Sequence, residues 1–358
     1  MRNAVIARDP VAQAAAQALI AEQGTALDMA VAGMLAGAVR GTPAALLGSG
    51  AIVIGGPGVG LHFIDARARA PGLGTTRPRT GASPAESSTA AVPGLLEGVL
   101  AAHARFGSLP LSAIVRTALA AVRESDPDVG TRARMELLVQ LHRVGFDALE
   151  RVGVLRSILQ AVGPIAAGSF SKEDLERHPA PVVSMIPCVA DGHEVAVPPR
   201  YRKHPGVHAP PALPAVDVES LVAADMHGVI VACCWALPKA AVSLPELPAL
   251  ALPALLPAPV KGVPRWRPGT PLPTPLPLAL CRAESRAWAG LGVSGSGNLV
   301  ALRDRAVAAR FALAGLPGLL VDDPSAWSSD AVAAWVVRDT SRAPLVTSIG
   351  AIGREDPR

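Results

Sequence analysis

The chain has 358 residues, half of them hydrophobic, so it can bury a large core as one large domain or as two ordinary ones. Aromatic residues make up only 3% of it, so small aliphatic side chains must fill that core. The formal net charge of +4 is a weak field over this length, and no aromatic residues interleave the Arg-dense residues 66–79. The composition therefore argues against nucleic-acid binding.

The N-terminal residues lack the continuous apolar segment of a secretory signal, and prolines break the most apolar stretch. We therefore expect no membrane span and a cytoplasmic protein. The four cysteines have no CxxC spacing, and adjacent Cys233 and Cys234 must point to opposite faces of a strand, so free thiols are expected. His193-Glu194 begins no HExxH motif, and we expect neither a metal nor another cofactor.

The N-terminal third predicts helices packed on paired strands. Val11–Glu22 predicts an Ala-rich helix, and Thr25 can cap a second helix, ALDMAVAGMLAGAV, with Asp28 in its first turn. That second helix is small and apolar almost all round, so it must lie buried against a flat surface such as a sheet. Ile52–Ile54 and Leu61–Ile64 predict two paired strands. The glycines before the first strand are no dinucleotide-binding loop, because they precede the strand and no helix follows.

The remaining chain predicts helices and strands in blocks. Helical patterns cover residues 95–105, the residues from 112, residues 132–166, a short segment capped by Ser171, and residues 299–314. Strand patterns cover residues 182–197, 289–292, 332–337 and 345–352. Residues 198–216 and 240–278 are Pro-rich and predict connectors without helix.

Residues 217–235, DVESLVAADMHGVIVACCW, predict a buried hairpin at the centre of this pattern. Glu219–Ala224 and Val229–Cys234 are its two apolar strands, and the residues between them form a tight turn in which Gly228 can take a positive φ. Hairpins and helices in blocks, without βαβ alternation, predict stacked antiparallel sheets covered by helices.

Several short segments, in one consistent order over most of the chain, resemble motifs of the gamma-glutamyltranspeptidase family. They are Gly24–Ala32 (similar to GGNAVDAAVA), Ile64–Pro71 (LDYRExAP), Ala91–Pro110 (VPG, then a His and a Gly-x-x-Pro), Ser171–Leu175 (LTxEDL), Pro268–Pro275 (PGKRPLSSMSP) and Gly292–Leu299 (GSPGGSRI). The resemblance implies an α+β fold, a four-layer αββα sandwich of two antiparallel sheets covered by helices, as in N-terminal-nucleophile hydrolases. It implies a single domain, residues 1–358, in which residues 1–217 are similar to the family's large subunit and residues 218–358 to its small subunit, although the chain is short for the family.

The family's catalytic residues carry over incompletely. In that family a precursor cuts itself before a Thr, and the freed Thr attacks a γ-glutamyl amide with its own amine as base. Here Val218 takes that position, and valine has no hydroxyl for either step. The oxyanion-binding pair falls on Gly295 and Ser296, whose backbone N–H groups can still donate. The ligands of the substrate carboxylate fall on Arg67 and on Thr274, which replaces a serine.

Three functional hypotheses follow. The favoured one is a degenerate member that does not cleave itself and holds an amino-acid-like or γ-glutamyl ligand at Arg67, or acts through a protein partner or a second copy of itself. The second is an active amide hydrolase or transferase with Ser220 as a displaced nucleophile, with the thiols of Cys233 and Cys234 as weaker candidates. The third is a non-covalent reaction in the same pocket. Arg67 also has a structural alternative, because Asp65 beside it favours a salt bridge.

Overall fold

A computed structural model of the chain describes residues 3–74, 89–145, 147–166, 168–176, 181–190, 193–199, 216–256, 266–283, 287–311, 331–339 and 346–351. Arg77 and Arg79 of the Arg-dense segment, and most of the first Pro-rich connector, lie outside these residues. None of the helices that the structure describes is long and apolar enough to cross a membrane.

The helices in the described ranges follow the blocks of the sequence. In chain order they are α1 (Pro10–Ala21), α2 (Ala26–Arg40), α3 (Leu95–Phe106), α4 (Leu111–Glu124), α5 (Val129–Val144), α6 (Asp147–Arg151), α7 (Val154–Val162), α8 (Lys172–Glu176) and α9 (Leu299–Phe311). The helical pattern predicted over residues 132–166 is broken into separate helices at Gly145 and Gly153, which have positive φ values of 61° and 75°.

The strands are β1 (Ala4–Ala7), β2 (Gly50–Gly56), β3 (Gly60–Ala66), β4 (Val182–Ser184), β5 (Cys188–Ala190), β6 (His193–Ala196), β7 (Val216–Ala224), β8 (Ile230–Pro238), β9 (Ala241–Leu244), β10 (Leu247–Pro253), β11 (Leu278–Ala283), β12 (Ala287–Ser294), β13 (Val332–Asp339) and β14 (Val346–Ala351). The first sheet has the order β1-β7-β8-β2-β3-β4 and the second β14-β13-β12-β11-β6-β5; every pair is antiparallel. Strands β9 and β10 form a separate hairpin.

The predicted αββα sandwich is confirmed. One core lies between the helical layer of α1 to α4 and the first sheet. A second core lies between the two sheets and continues to Leu299, Leu302 and Val307 of α9, which covers the second sheet. The predicted alternation of the adjacent cysteines is also confirmed, because Cys233 belongs to the first core and Cys234 to the second.

The central hairpin is confirmed as β7 and β8, with Gly228 at φ 97° in the turn. Strands β1 and β11 and the β9–β10 hairpin were not anticipated. The many prolines of residues 240–278 predict a connector, whereas the structure has strands β9 and β10 in this range. The β9–β10 hairpin tolerates prolines because it is a two-stranded pair outside the main sheets, with an irregular register between Leu247 and Ala251.

Helix α2 packs directly on this hairpin, and glycines let it approach. Every residue from Ala26 to Val39 is buried. A Cβ at Gly33 would lie 2.4 Å from Cδ1 of Leu221, and a Cβ at Gly37 would lie 2.4 Å from Cζ2 of Trp235. Both partners are fully buried, so the helix reaches the sheet only because these two positions carry no side chain.

Two buried carboxylates fix the beginning of α2. Asp28 and Thr25 form a capping box, and Asp28 also accepts hydrogen bonds from the backbone N–H and the hydroxyl of Ser108. Asp225, in the hairpin turn, accepts from the backbone N–H of Ala26 at 3.1 Å and from those of His227 and Val229. The same carboxylate therefore holds the turn and caps the helix, which joins the two elements.

We expect Gly37→Ala to lower the free energy of unfolding by about 1–3 kcal/mol, because the added methyl overlaps the rigid Trp235 ring. In an unhindered helix the same change stabilises by roughly 1 kcal/mol. Urea denaturation measures the difference. The matched control is Gly130→Ala in α5, where a Cβ would meet no atom closer than 3.5 Å. A Gly37→Ala protein as stable as the wild type would contradict this packing.

Candidate functional site

Val218 occupies the position that the family resemblance assigns to the nucleophile. It lies inside β7 and its side chain is buried between the sheets. Its backbone N–H donates to the carbonyl of Gly295 at 2.9 Å, and the N–H of Gly295 donates back to the carbonyl of Val218 at 2.8 Å. The Gly295 amide, a predicted oxyanion donor, therefore already has an acceptor in this structure.

Ser220, the predicted alternative nucleophile, faces the same intersheet space. It is fully buried, and its hydroxyl lies 2.9 Å from Oγ of Ser294, which also accepts the backbone N–H of Ser220. Gly292 of β12 lies opposite, so close that a Cβ there would come within 2.7 Å of Oγ of Ser220. The hydroxyl is thus enclosed by the two sheets.

A pocket of about 490 Å³ opens beside the beginning of β7. Its walls come from Arg67, from residues 198–199, 216–217 and 273–276, from Leu255, and from residues 296–300 with Arg303 of α9. It brings together three of the predicted site residues, Arg67, Thr274 and Ser296, whereas Ser220 and Gly295 do not line it. The pocket volume is typical of sites for small molecules, which measure about 300–1,000 Å³.

Arg67 has two alternative roles by sequence, a salt bridge with Asp65 and a ligand of a substrate carboxylate. The structure has the salt bridge, and Arg67 also lines the pocket. Its Nε donates to Oδ1 of Asp65 at 2.8 Å, and its Nη2 donates to Oδ2 at 2.6 Å. A guanidinium has five N–H groups, and this side-on pair uses two of them. Arg67 is 9% exposed and lines the pocket. Its remaining N–H groups, including both on Nη1, are the donors that this arginine can offer to a ligand.

Thr274 is held by a residue that the sequence interpretation missed. The Ser49 hydroxyl lies 2.9 Å from Oγ1 of Thr274 and accepts the backbone N–H of Ala68 at 3.1 Å. Ser49 is fully buried and therefore ties the Thr274 segment to the residue that follows Arg67. Ser49 lies before β2 in the Gly-Ser-Gly segment, for which the sequence offers only the rejected interpretation as a dinucleotide-binding loop.

Two charged residues of the pocket were also missed. Arg303 is almost fully buried, forms an ion pair with Asp304, and donates from Nη1 to the carbonyl of Leu276 at 3.2 Å. Asp217 lies 3.1 Å from Nζ of Lys239. In the sequence, Arg303 and Asp304 look like the surface of an ordinary helix. Asp217 and Lys239 look like ordinary polar residues at the ends of two strands.

Metal and thiol chemistry have no support within the described ranges. No group of three or more His, Cys, Asp or Glu residues there is placed to hold a metal ion. Burial raises the pKa of Cys234 and of Cys281 to about 12, and burial also raises the pKa of Cys233. These thiols stay protonated near neutral pH and are poor nucleophiles.

Glu219, beside Val218, has an unusual carboxyl group. Burial raises its pKa from 4.5 to about 7, the nearby carboxylates of Asp9 and Asp217 add to the rise, and Arg8 and a hydrogen bond from Ser294 oppose it. The Arg8 guanidinium is 3.8 Å away, and Oε2 of Glu219 is buried without a hydrogen bond. The folded chain therefore favours the protonated form of Glu219.

The pKa of Glu219 is higher in the folded chain than in the unfolded chain. Its carboxyl group therefore costs no stability below pH 4.5, and it lowers the free energy of unfolding as the pH rises through about 7. We expect Glu219→Gln to be more stable than the wild type at pH 8.5, by up to about 3 kcal/mol, and to show little difference at pH 4.5. Urea denaturation across this range is the measurement, and the exposed Glu124→Gln is the control. An equal difference at both pH values would refute the assignment.

Comparisons with known proteins agree with the sequence motifs and the fold. Residues 12–125 match the family model described as gamma-glutamyltranspeptidase. No curated protein sequence matches the chain. A cephalosporin acylase from Bacillus halodurans has a similar structure, with a TM-score of 0.69 and 14% identity, over 98% of this chain and 94% of that chain.

Two further solved structures are similar over less of the chain. A protein named LmbA2991 matches with a TM-score of 0.60 and 13% identity, over 88% of this chain and 82% of that one. A gamma-glutamyltranspeptidase from Pseudomonas nitroreducens matches 53% of this chain and 68% of its own, with 21% identity and a TM-score of 0.43. The N-terminal third of the chain is thus similar to gamma-glutamyltranspeptidases in sequence, and the sandwich as a whole shares the fold of the cephalosporin acylase.

Proposed function

We propose that this protein is a non-catalytic member of the gamma-glutamyltranspeptidase family that stays uncleaved and holds a small carboxylate ligand at Arg67. The observation that carries the proposal is the state of Val218. Its side chain has no nucleophilic atom, and both of its backbone hydrogen-bonding groups are engaged with Gly295. Self-cleavage and acyl transfer both need a hydroxyl or thiol at that place.

The strand around Val218 supports the same conclusion. Val216 and Asp217 pair with Pro238 and Leu237 of β8, so the β7–β8 ladder begins before Val218. The division between residues 217 and 218 that the family resemblance implies would therefore cut through a paired strand. A continuous chain keeps these pairs and needs no new N-terminus.

The carboxylate ligand rests on the geometry of Arg67. The Asp65 pair orients the guanidinium side-on, which leaves N–H groups for an acceptor in the pocket. The pair is electrically neutral as a whole, so a ligand carboxylate gains hydrogen bonds from Arg67 more than net Coulomb attraction. We therefore expect binding of modest affinity, with Arg67 as its principal donor.

The alternative function, an active amide hydrolase or transferase, requires Ser220 to reach a substrate. Its hydroxyl is enclosed by Ser294 and Gly292, and it does not line the pocket. Attack by Ser220 would require the two sheets to separate locally. The static arrangement favours the non-catalytic proposal, and the two differ in measurable products.

A denaturing gel of freshly purified protein should show a single band near 36.5 kDa, because nothing at Val218 can cut the chain. Incubation with a γ-glutamyl anilide should release no aniline, from the wild type or from Ser220→Ala. Two bands from a cut at residues 218–220, or turnover that Ser220→Ala abolishes, would instead establish the enzyme.

Calorimetric titration with a panel of acetate, hexanoate and L-glutamate should detect binding of at least one carboxylate to the wild type. We expect Arg67→Ala to weaken that binding about tenfold, the loss of one charge-assisted hydrogen bond. Arg67→Ala/Asp65→Ala is a second variant that leaves no unpaired buried carboxylate. The exposed Arg156→Ala is the matched control. Failure of every carboxylate to bind the folded wild type would reject the proposal.

A further inference from the structure

The walls of the pocket are largely apolar. Four prolines, three leucines and two valines are among its lining residues, including Pro198, Pro273, Leu255 and Leu276. Proline and leucine side chains present no hydrogen-bonding groups to a ligand, so they favour apolar matter and disfavour polar substituents. A cavity of about 490 Å³ has room for a ligand body well beyond a single carboxylate.

The charged groups in these walls are already paired within the chain. Arg303 is neutralised by Asp304 and holds the carbonyl of Leu276, so it supports the wall. Asp217 supplies the sole carboxylate among the described residues that line the pocket. Nζ of Lys239 lies 3.1 Å from Oδ1 of Asp217, so an ammonium of the protein already balances the charge of this carboxylate.

Arg67 differs from these groups because its pairing with Asp65 is incomplete. Asp65 binds the Nε side of the guanidinium, and the N–H groups of Nη1 remain on a residue that lines the pocket. The pocket thus combines one anchor for an anionic oxygen pair with a mostly apolar wall, in which Thr274, Ser296 and Asn298 are the uncharged polar side chains. An amino group on the ligand would compete with Lys239 for Asp217 and would lose its hydration against proline and leucine.

We propose that the ligand class of this pocket is a monocarboxylic acid with an apolar body and without an amino group, in place of a γ-glutamyl or amino-acid ligand. The carboxylate binds the remaining N–H groups of Arg67, and the hydrocarbon body lies against the proline and leucine walls. This inference rests on the proposed function, since it assigns the chemical class of the carboxylate that Arg67 holds.

A chain-length series tests the inference on the full-length protein. Calorimetric titration with acetate, butanoate and hexanoate should show an affinity that rises about threefold for each added methylene, because each one leaves water for an apolar wall. Hexanamide, which lacks the anion, and L-glutamate, which carries the ammonium, should each bind at least about tenfold more weakly than hexanoate.

A wall variant with a matched control separates the pocket from nonspecific binding. Val300 is the second residue of α9 and lines the pocket, and Val300→Glu places a carboxylate there at a helix position that tolerates one. It should abolish hexanoate binding. Val129→Glu, at the exposed beginning of α5, should leave binding unchanged. Hexanoate binding that both variants retain would overturn the inference.

The two proposals fail in distinguishable ways. If carboxylates bind through Arg67 but L-glutamate binds as tightly as hexanoate, or acetate binds as tightly as hexanoate, this inference is overturned and the proposed function stands. If no carboxylate binds the folded wild type, the proposed function fails and the inference fails with it.

Discussion

The packing of α2 against the β7–β8 hairpin is the contact on which the rest of the molecule depends. The hairpin lies in the middle of the first sheet, and α2 is buried on all sides above it. Gly33 and Gly37 allow the close approach, and Asp225 caps the helix from the hairpin turn. Because one face of the hairpin is held by the helix, its other face is free to pack against the second sheet.

That second packing decides the chemistry. The two sheets meet closely because β12 has glycine at positions 290 and 292, where side chains would strike Val222, Ile230 and Ser220. The chain leaves β12 after Ser294, and the next residue, Gly295, pairs with Val218. The same close contact encloses the Ser220 hydroxyl. The space around Val218 is therefore filled by backbone hydrogen bonds, the Ser220–Ser294 hydroxyl pair and aliphatic side chains.

The pocket beside this closed region shows a consistent charge pattern. Each of its charged side chains has a partner within the chain, and two arginines pair with an aspartate one or two residues away, Asp304 and Asp65. Each pair balances the charge of its arginine in a partly dehydrated place, so the pocket has no strong net field. Selectivity then depends on the apolar walls and on the few N–H groups of Arg67 that the Asp65 pair leaves over.

The sequence by itself determined most of the local elements, the fold class and the presence of valine, without a hydroxyl, at position 218. Alternating apolar residues, the Gly228 turn and the Thr25 cap depend on neighbours within a few positions, so their patterns predict them. Tertiary structure alone decided the pocket. Ser49 meets Thr274 across 225 positions, and Asp217 meets Lys239, the residue that follows β8. The first contact forms only when the complete fold brings distant residues together, and no periodicity or spacing in the chain encodes that approach.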